Sequence, residues 1–385
     1  MEEYVKQIHR CFRCGYCKFS TDYSDFNCPS YTRFRLESYS TGGRLWLIYA
    51  WLKGEIEWSE HLAEILYTCT ACKNCVEECP FRFASDVVEW IVAARSNMVE
   101  EGKIPAPVNR FLTNVNEYGN PSRRLRSERD AWADGIKRYE PGDEYLLYIG
   151  CLGSYDEIAQ TMARSITDLL SEAGISFGIL GNEEECCGNE VYNLGEMRLF
   201  QELAEKNIQK FRELDVRKVL AISPHAYNAM RNNYPNFGAN FGVYHYTQLL
   251  HSLIKKGVIK LGEMKAKVTY HDPCFLGRYN KIYDVPREIL QSIPGVDLIE
   301  MGRNRENSFC CGGGSGNFIM DLLAGSKESP SRSRVREAYE TGAETLAIAC
   351  PSCMTMLTDA VKVEDLEAKM SVKDISQIVR QAMHR

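Results

Sequence analysis

The 385-residue chain has no long hydrophobic run. The longest, Leu45 to Leu52, falls far short of the ~20 apolar residues a membrane helix needs, so no transmembrane segment is expected. It also lacks an excess of positive charge. Its 46 Lys and Arg against 52 Asp and Glu leave a net charge of −6, which argues against a nucleic-acid partner. The start, Met1-Glu2-Glu3-Tyr4, has no apolar core, so no secretory signal is expected. No nucleotide fingerprint is present: the glycines of Cys311-Gly-Gly-Gly-Ser-Gly316 lack its spacing. Together these absences point to a soluble, cytoplasmic protein, with docking on a membrane complex left open. Disulfides do not persist in that compartment, so the 16 cysteines read as metal or redox ligands.

No cysteine falls between Cys79 and Cys151, and eight lie on each side. The gap holds Pro105, Pro107, Pro121 and the charged run Ser122-Arg-Arg-Leu-Arg-Ser-Glu-Arg-Asp130. It is read as a connector. The later half repeats itself. Tyr145-Leu-Leu-Tyr-Ile-Gly-Cys151 matches Lys267-Val-Thr-Tyr-His-Asp-Pro-Cys274, and Cys186-Cys187-Gly188 matches Cys310-Cys311-Gly312. Cys274 follows Cys151 by 123 residues, and Cys310 follows Cys186 by 124. A third pair sets Ser223 and Ala226 against Cys350 and Cys353. The expected domains are 1–95, a connector 96–143, a first repeat 144–262 and a second repeat 263–385.

Each repeat alternates strand and helix. Strands are expected at 145–149, 176–180 and 219–222, and again at 268–271, 297–300 and 346–349. A helix is expected over 156–172, from the spacing of Ile158, Met162, Ile166, Leu169 and Leu170. Such alternation predicts an α/β fold with parallel sheets, and ligands collect outside the carboxyl ends of such strands. The three cysteine loops of a repeat should therefore meet at one edge.

The first eight cysteines form two copies of one motif. Cys11-x-x-Cys14-x-x-Cys17 with Cys28-Pro29 is the first, and Cys69-x-x-Cys72-x-x-Cys75-x-x-x-Cys79-Pro80 is the second. This is the two-cluster ferredoxin pattern, in which the fourth cysteine serves the other cluster. It assigns Cys11, Cys14, Cys17 and Cys79 to one cubane [4Fe-4S] cluster, and Cys69, Cys72, Cys75 and Cys28 to a second. An α-helical N-terminal domain is expected to carry both. Zinc is the competing reading, but four cysteines per motif with a terminal Cys-Pro is more specific than a zinc site. Arg13, Lys18 and Lys73 near the sulfurs are read as solvated charge.

In the second repeat Cys274, Cys310, Cys311, Cys350 and Cys353 make five thiolates, one more than a cubane needs. Adjacent cysteines are poorly shaped for a mutual disulfide. They can instead grip neighbouring metal ions or bridge them, and the glycines let backbone N–H groups approach sulfur. The first repeat keeps Cys151, Cys186 and Cys187 only. These are weaker candidate ligands, with His225 as a candidate fourth, and a lost site is the favoured reading.

These motifs together resemble the D subunit of heterodisulfide reductase, and the resemblance covers nearly the whole chain. The architecture is also similar to the iron-sulfur subunits of glycolate oxidase and of the class II benzoyl-CoA reductase complex. The stretches Pro286-Arg-Glu-Ile-Leu-Gln-Ser-Ile-Pro294 and Asn304-Arg-Glu-Asn-Ser-Phe-Cys310 are especially family-like. In that family the cysteine-rich modules hold noncubane [4Fe-4S] clusters, or in some copies zinc or no metal. The resemblance implies one noncubane cluster here, in the second repeat. It implies an oxidoreductase component that passes electrons from two cubanes to that cluster, where a disulfide or related substrate is reduced. The alternative is a pure relay between redox partners with no substrate of its own. Expected partners are a flavoprotein, a ferredoxin-like protein or a membrane cytochrome.

Cys274, Cys310 and Cys311 are the candidate catalytic thiolates. His271 is a candidate proton donor beside them, although a hydrogen-bonded supporting role is favoured. Arg278, Arg303 and Arg305 are candidates to hold an anionic substrate tail. His225 and His245 are read as structural. Trp46, Leu47, Tyr49, Trp51 and Trp58 are read as packing, or as a partner surface.

Overall fold

The computed structural model describes residues 4–20 and 25–383. Its N-terminal part is helical. Helix Thr41–Leu52 starts where Ser40 Oγ accepts a hydrogen bond from Gly43 N at 3.1 Å. Helix Glu60–Tyr67 starts where Ser59 Oγ accepts from Leu62 N at 3.1 Å. Such caps satisfy amides that a helix start leaves unpaired. Leu45, Ile48, Leu62, Leu66 and Tyr67 face inward, against Trp90, Ile91 and Met98 of helix Val87–Glu100. Leu47, Tyr49, Trp51 and Trp58 are half-buried against the same core, and Trp46 is half-buried with the Arg13 guanidinium over its ring. The indole N–H groups of Trp46 and Trp58 donate to Cys11 O and Lys103 O. The aromatic insert is thus largely packing.

Two four-stranded sheets follow. The first comprises β1 (Tyr145–Tyr148), β2 (Phe177–Gly178), β3 (Lys218–Ala221) and β4 (Gly242–His245), in the order β2-β1-β3-β4. The second comprises β5 (Ala266–Tyr270), β6 (Val296–Leu298), β7 (Thr345–Ile348) and β8 (Ser371–Asp374), in the order β6-β5-β7-β8. Every pairing is parallel, with Leu147 opposite Leu220 and Thr269 opposite Leu346. The expected α/β fold with parallel sheets is what the chain adopts. Helix Glu157–Glu172 matches its expected range, capped by Asp156.

Each sheet has one strand more than the sequence pattern predicts. β4 (Gly-Val-Tyr-His) and β8 (Ser-Val-Lys-Asp) are four residues long and carry one apolar aliphatic residue each. No local pattern marks them; an open edge beside β3 or β7 does. Pro29 opens a helix, Pro29–Phe34, with Cys28 as the residue at its N-terminal cap position.

The two sheets share a core. Leu147, Ile149, Leu220 and Ile222 pack in one apolar cluster with Tyr270, Leu276, Ala347 and Ile378. The helix after each repeat's fourth strand packs on the other repeat: Tyr246–Lys255 against Asp284–Gln291, and Ile375–Met383 against Glu157–Glu172. This exchange gives the repeats an approximate two-fold relation. Burying each such Leu or Ile contributes roughly 1.5–3 kcal/mol. Among the described residues no helix is long and apolar enough to cross a membrane.

Candidate metal centres

The two N-terminal motifs wind in the same way. Arg13 and Ala71, each just before a motif's second cysteine, have φ of 52° and 51°. Gly15 and Lys73, each just after it, have φ of 91° and 61°. Left-handed backbone costs a non-glycine residue about 1–2 kcal/mol, so three such residues in two short loops need a reason. Wrapping three thiols around one group supplies it. Cys79 comes within electrostatic reach of Cys14 and Cys11, and Cys28 of Cys72. These are the crossed pairs that the motif predicts. The two sets adjoin, with Cys17 near both Cys28 and Cys75.

Burial separates the sets. Cys14 is exposed and Cys11, Cys17 and Cys79 are intermediate, whereas Cys28, Cys72 and Cys75 are buried and Cys69 is intermediate. Burial pushes the Cys17 thiol up to about 12, and the Cys75 thiol well above its usual range. Thiols in such surroundings ionise only with a cation among them, so the donor set fits a metal cluster. Of the three expected surface cations, Lys18 pairs with Glu37, Arg13 lies over the Trp46 ring, and Lys73 lies over the Tyr279 ring.

In the second repeat all five cysteines gather at the carboxyl end of the sheet. Cys274 follows β5, Cys310 and Cys311 follow β6, and Cys350 follows β7 as the residue capping helix Pro351–Val363. Cys310 is in hydrogen-bond contact with Cys274, Cys311 and also Cys72 of the N-terminal part. Cys311 Sγ is 3.4 Å from Cys353 Sγ. Gly312 N donates to Cys310 Sγ at 3.4 Å, which gives the glycine its role. Contact with Cys310 and Cys353 draws the Cys311 thiol well below its usual range.

His271 lies within 4.8 Å of Cys311 and Cys353. Its Nδ1 accepts from Arg334 Nε at 3.1 Å, and its buried Nε2 has no partner. Burial, then Arg334, pushes its pKa down to about 3. It is therefore neutral near pH 7 and offers one N–H toward the sulfurs, which suits support better than acid catalysis.

The first repeat reproduces this plan with fewer ligands. Cys151 contacts Cys186, and Gly188 N donates to Cys186 Sγ at 3.5 Å. Ser223 stands at the cap position of helix Pro224–Asn228, where its Oγ accepts from His225 N, as Cys350 stands at the cap position of its counterpart without such a bond. A cavity of about 60 Å³ remains beside Cys151, Cys186 and Cys187. His225 lines this cavity, but it also reaches the other repeat. It is in hydrogen-bond contact with Cys350, and its Nδ1 is 2.5 Å from Glu190 Oε1. Glu190 Oε2 accepts from Gly316 N at 2.7 Å. Burial lowers the His225 pKa, but Glu190 and Cys350 together outweigh it and raise the value well above the usual range. The sequence assigned His225 to its own repeat; only the packing of the two repeats brings it to Cys350.

The three arginines expected at a substrate tail are occupied. Arg278 donates to Cys72 O and Ser308 O. Arg303 pairs with Glu337 at 2.9 Å, and Arg305 with Asp284 at 2.7 Å. Carboxylates of the fold account for Arg303 and Arg305, whereas Arg278 has only carbonyl partners and a buried Nη2 without one.

Comparison with known proteins agrees with this organisation. A cysteine-rich domain model matches residues 145–231 and 268–358, and a 4Fe-4S dicluster domain model matches residues 7–83. The chain is 30% identical over 408 residues to the D subunit of dihydromethanophenazine:CoB–CoM heterodisulfide reductase of Methanosarcina mazei. That match covers 98% of this chain and 95% of the relative. It is 39% identical over 333 residues to a probable iron-sulfur-binding oxidoreductase of Bacillus subtilis, covering 83% of this chain and 47% of that protein. It is 34% identical over 336 residues to an EtfAB:quinone oxidoreductase of Syntrophomonas wolfei, covering 83% and 47%. The chain thus spans about half the length of several curated relatives. A solved structure, of a hypothetical protein from Helicobacter pylori, shares the fold with a TM-score of 0.55 at 11% identity, covering 90% of this chain and 68% of that one.

Proposed function

Because the chain belongs to the family of iron-sulfur proteins that includes the D subunit of heterodisulfide reductase, we propose that it is the iron-sulfur component of an oxidoreductase complex. Cys11, Cys14, Cys17 and Cys79 hold one cubane, and Cys28, Cys69, Cys72 and Cys75 the other. Cys274, Cys310, Cys311, Cys350 and Cys353 hold a noncubane [4Fe-4S] cluster. When bound, the three clusters supply one-electron transfer, from the cubanes to the noncubane site, where a disulfide or related substrate is reduced. The observation that carries this reading is the contact between Cys72 and Cys310, which joins the buried N-terminal set to the second repeat.

The burial of the two cysteine sets supports this direction. The set around exposed Cys14 faces solvent, beside Phe12, which is 73% exposed; that is the side on which a redox partner docks. The second-repeat site is closed. Cys310, Cys311, Cys350 and Cys353 are at most 4% exposed, and only Cys274 is half-buried. His271 offers its Nε2–H to the sulfurs, and His225 with Glu190 buttresses Cys350. We keep divisions at 144 and 263, with helix Val87–Glu100 running across the boundary expected at 96, and take the first repeat as a metal-free scaffold. We place the complex in the cytoplasm or peripherally on a membrane.

The closed second site also favours a second reading, a relay with no substrate of its own. Anaerobic purification decides between them. Disulfide reductase activity in full-iron protein supports the catalytic reading. Its absence, with co-purifying redox proteins, supports the relay. Zinc without iron overturns both.

A further inference from the structure

Among the described residues seven arginines are buried, and they fall into two groups. Four have a carboxylate: Arg129 pairs with Glu184 at 2.7 Å, Arg287 with Asp272 at 2.7 Å, Arg303 with Glu337 at 2.9 Å and Arg334 with Glu337 at 2.8 Å. The other three, Arg44, Arg95 and Arg278, have none among the described residues. Each lies against the set Cys28, Cys69, Cys72 and Cys75, and Arg278 also against Cys274 and Cys310 of the second repeat.

Arg44 is fully buried. It donates to Ile65 O at 2.8 Å, Tyr39 O at 2.6 Å, Ser30 Oγ at 2.9 Å and Thr68 Oγ1 at 2.9 Å. Ser30 Oγ in turn is 3.6 Å from Cys28 Sγ. Arg95, also fully buried, donates to Cys69 O at 2.5 Å, Leu66 O at 2.7 Å, Asn193 O at 2.6 Å and Ser315 Oγ at 3.1 Å. Arg278 donates to Cys72 O at 2.6 Å and Ser308 O at 2.6 Å, and its buried Nη2 has no partner. Carbonyls and hydroxyls satisfy N–H groups but cancel no charge. A buried guanidinium left without a counter-ion costs several kcal/mol, so three around one site require an anion there. Among the described residues the set Cys11, Cys14, Cys17 and Cys79 has no such neighbour. Its nearest cation, Arg13, is exposed, and Lys18 is neutralised by Glu37.

We propose that Arg44, Arg95 and Arg278 are the counter-charges of the anionic cluster on Cys28, Cys69, Cys72 and Cys75, and make it the more readily reduced of the two cubanes. The inference rests on the ligand assignment proposed above. Its physics is simple. An added electron makes a cluster more negative, and fixed positive charge in a low-dielectric interior stabilises that form far more than solvated charge does. The electron then rests at the cubane whose Cys72 touches Cys310.

The test is a dithionite titration with redox mediators of the anaerobically purified full chain, followed by electron paramagnetic resonance and iron content. Two cubane signals with separate midpoints are expected. R44Q, R95Q and R278Q each lower the midpoint of the signal that reduces first and leave the other in place. R44K restores most of the shift, and R13Q leaves the first-reduced signal unmoved. The exposed set gives an independent check: C14S alters the later signal and spares the earlier one. Glutamine variants of normal iron content that move neither midpoint, or both equally, overturn the inference while the ligand assignment stands. Loss of the first-reduced signal in C14S overturns it too, even where the arginine variants fail to load iron. Full-iron protein with fewer than two cubane signals overturns the assignment itself.

Discussion

The two repeats have the same strand order, the same Gly N–H on the first cysteine of the Cys-Cys pair, and the same Pro-led helix after the third strand. They differ in what that helix presents. The second repeat places Cys350 and Cys353 there; the first places Ser223 and Ala226. Yet the first repeat is as well packed, with Leu146, Tyr148, Val219 and Ala221 fully buried. The loop of the first repeat that carries Ser223 and Ala226 sends His225 across to Cys350 of its neighbour.

The comparison can be broken most sharply by counting iron. Full-length protein should carry about twelve irons, and C311S about eight, while C151A stays at twelve. A wild-type count near sixteen means that the first repeat is also loaded. Next in size is Gly314, where a Cβ would come within 2.3 Å of Thr70 O. G314A should lower unfolding stability by about 1–3 kcal/mol and weaken the junction between the N-terminal part and the second repeat, with thermal denaturation as the measure. The reverse experiment restores ligands: S223C/A226C should raise iron above the wild-type count, and no gain means that backbone as well as side chains has drifted.

The smallest effect concerns the fourth strands, which end in His245 and Asp374. Both are buried, and burial pushes the Asp374 carboxyl from 3.8 up to about 7. It accepts from Ser376 N at 2.8 Å and from Tyr246 of the first repeat at 2.7 Å. A raised carboxyl pKa means that the native state holds a proton that the unfolded chain has lost. Stability should therefore fall as pH rises from about 4 to about 7, by up to about 1.4 kcal/mol per unit, and level off above. D374N should flatten that slope in chemical denaturation; an unchanged slope puts the titration elsewhere.

Much of this was legible in the residues. The ferredoxin spacing, the repeat offset and the helix over 157–172 are local patterns, and local patterns survive folding. β4 and β8 were not legible, because four-residue edge strands are selected by a neighbouring strand rather than by their own pattern. Arg278, Arg303 and Arg305 looked like ligand-binding charge, since sequence cannot say which arginines fold against a carbonyl or a carboxylate. His271 was readable as a neighbour of Cys274, but its neutrality comes from burial and from Arg334, which is 63 residues away.

By itself the sequence determined the number and spacing of the cysteines: eight in two like motifs, five in one repeat and three in the other. Cysteine chemistry and spacing are properties of the chain, and they hold before it folds. Only the tertiary structure decided which sites touch and what charge surrounds them. Cys72 meets Cys310, His225 meets Cys350, and Arg44, Arg95 and Arg278 converge without carboxylates. Charge balance in a dry interior is a sum over neighbours from distant parts of the chain, and no linear spacing encodes that sum.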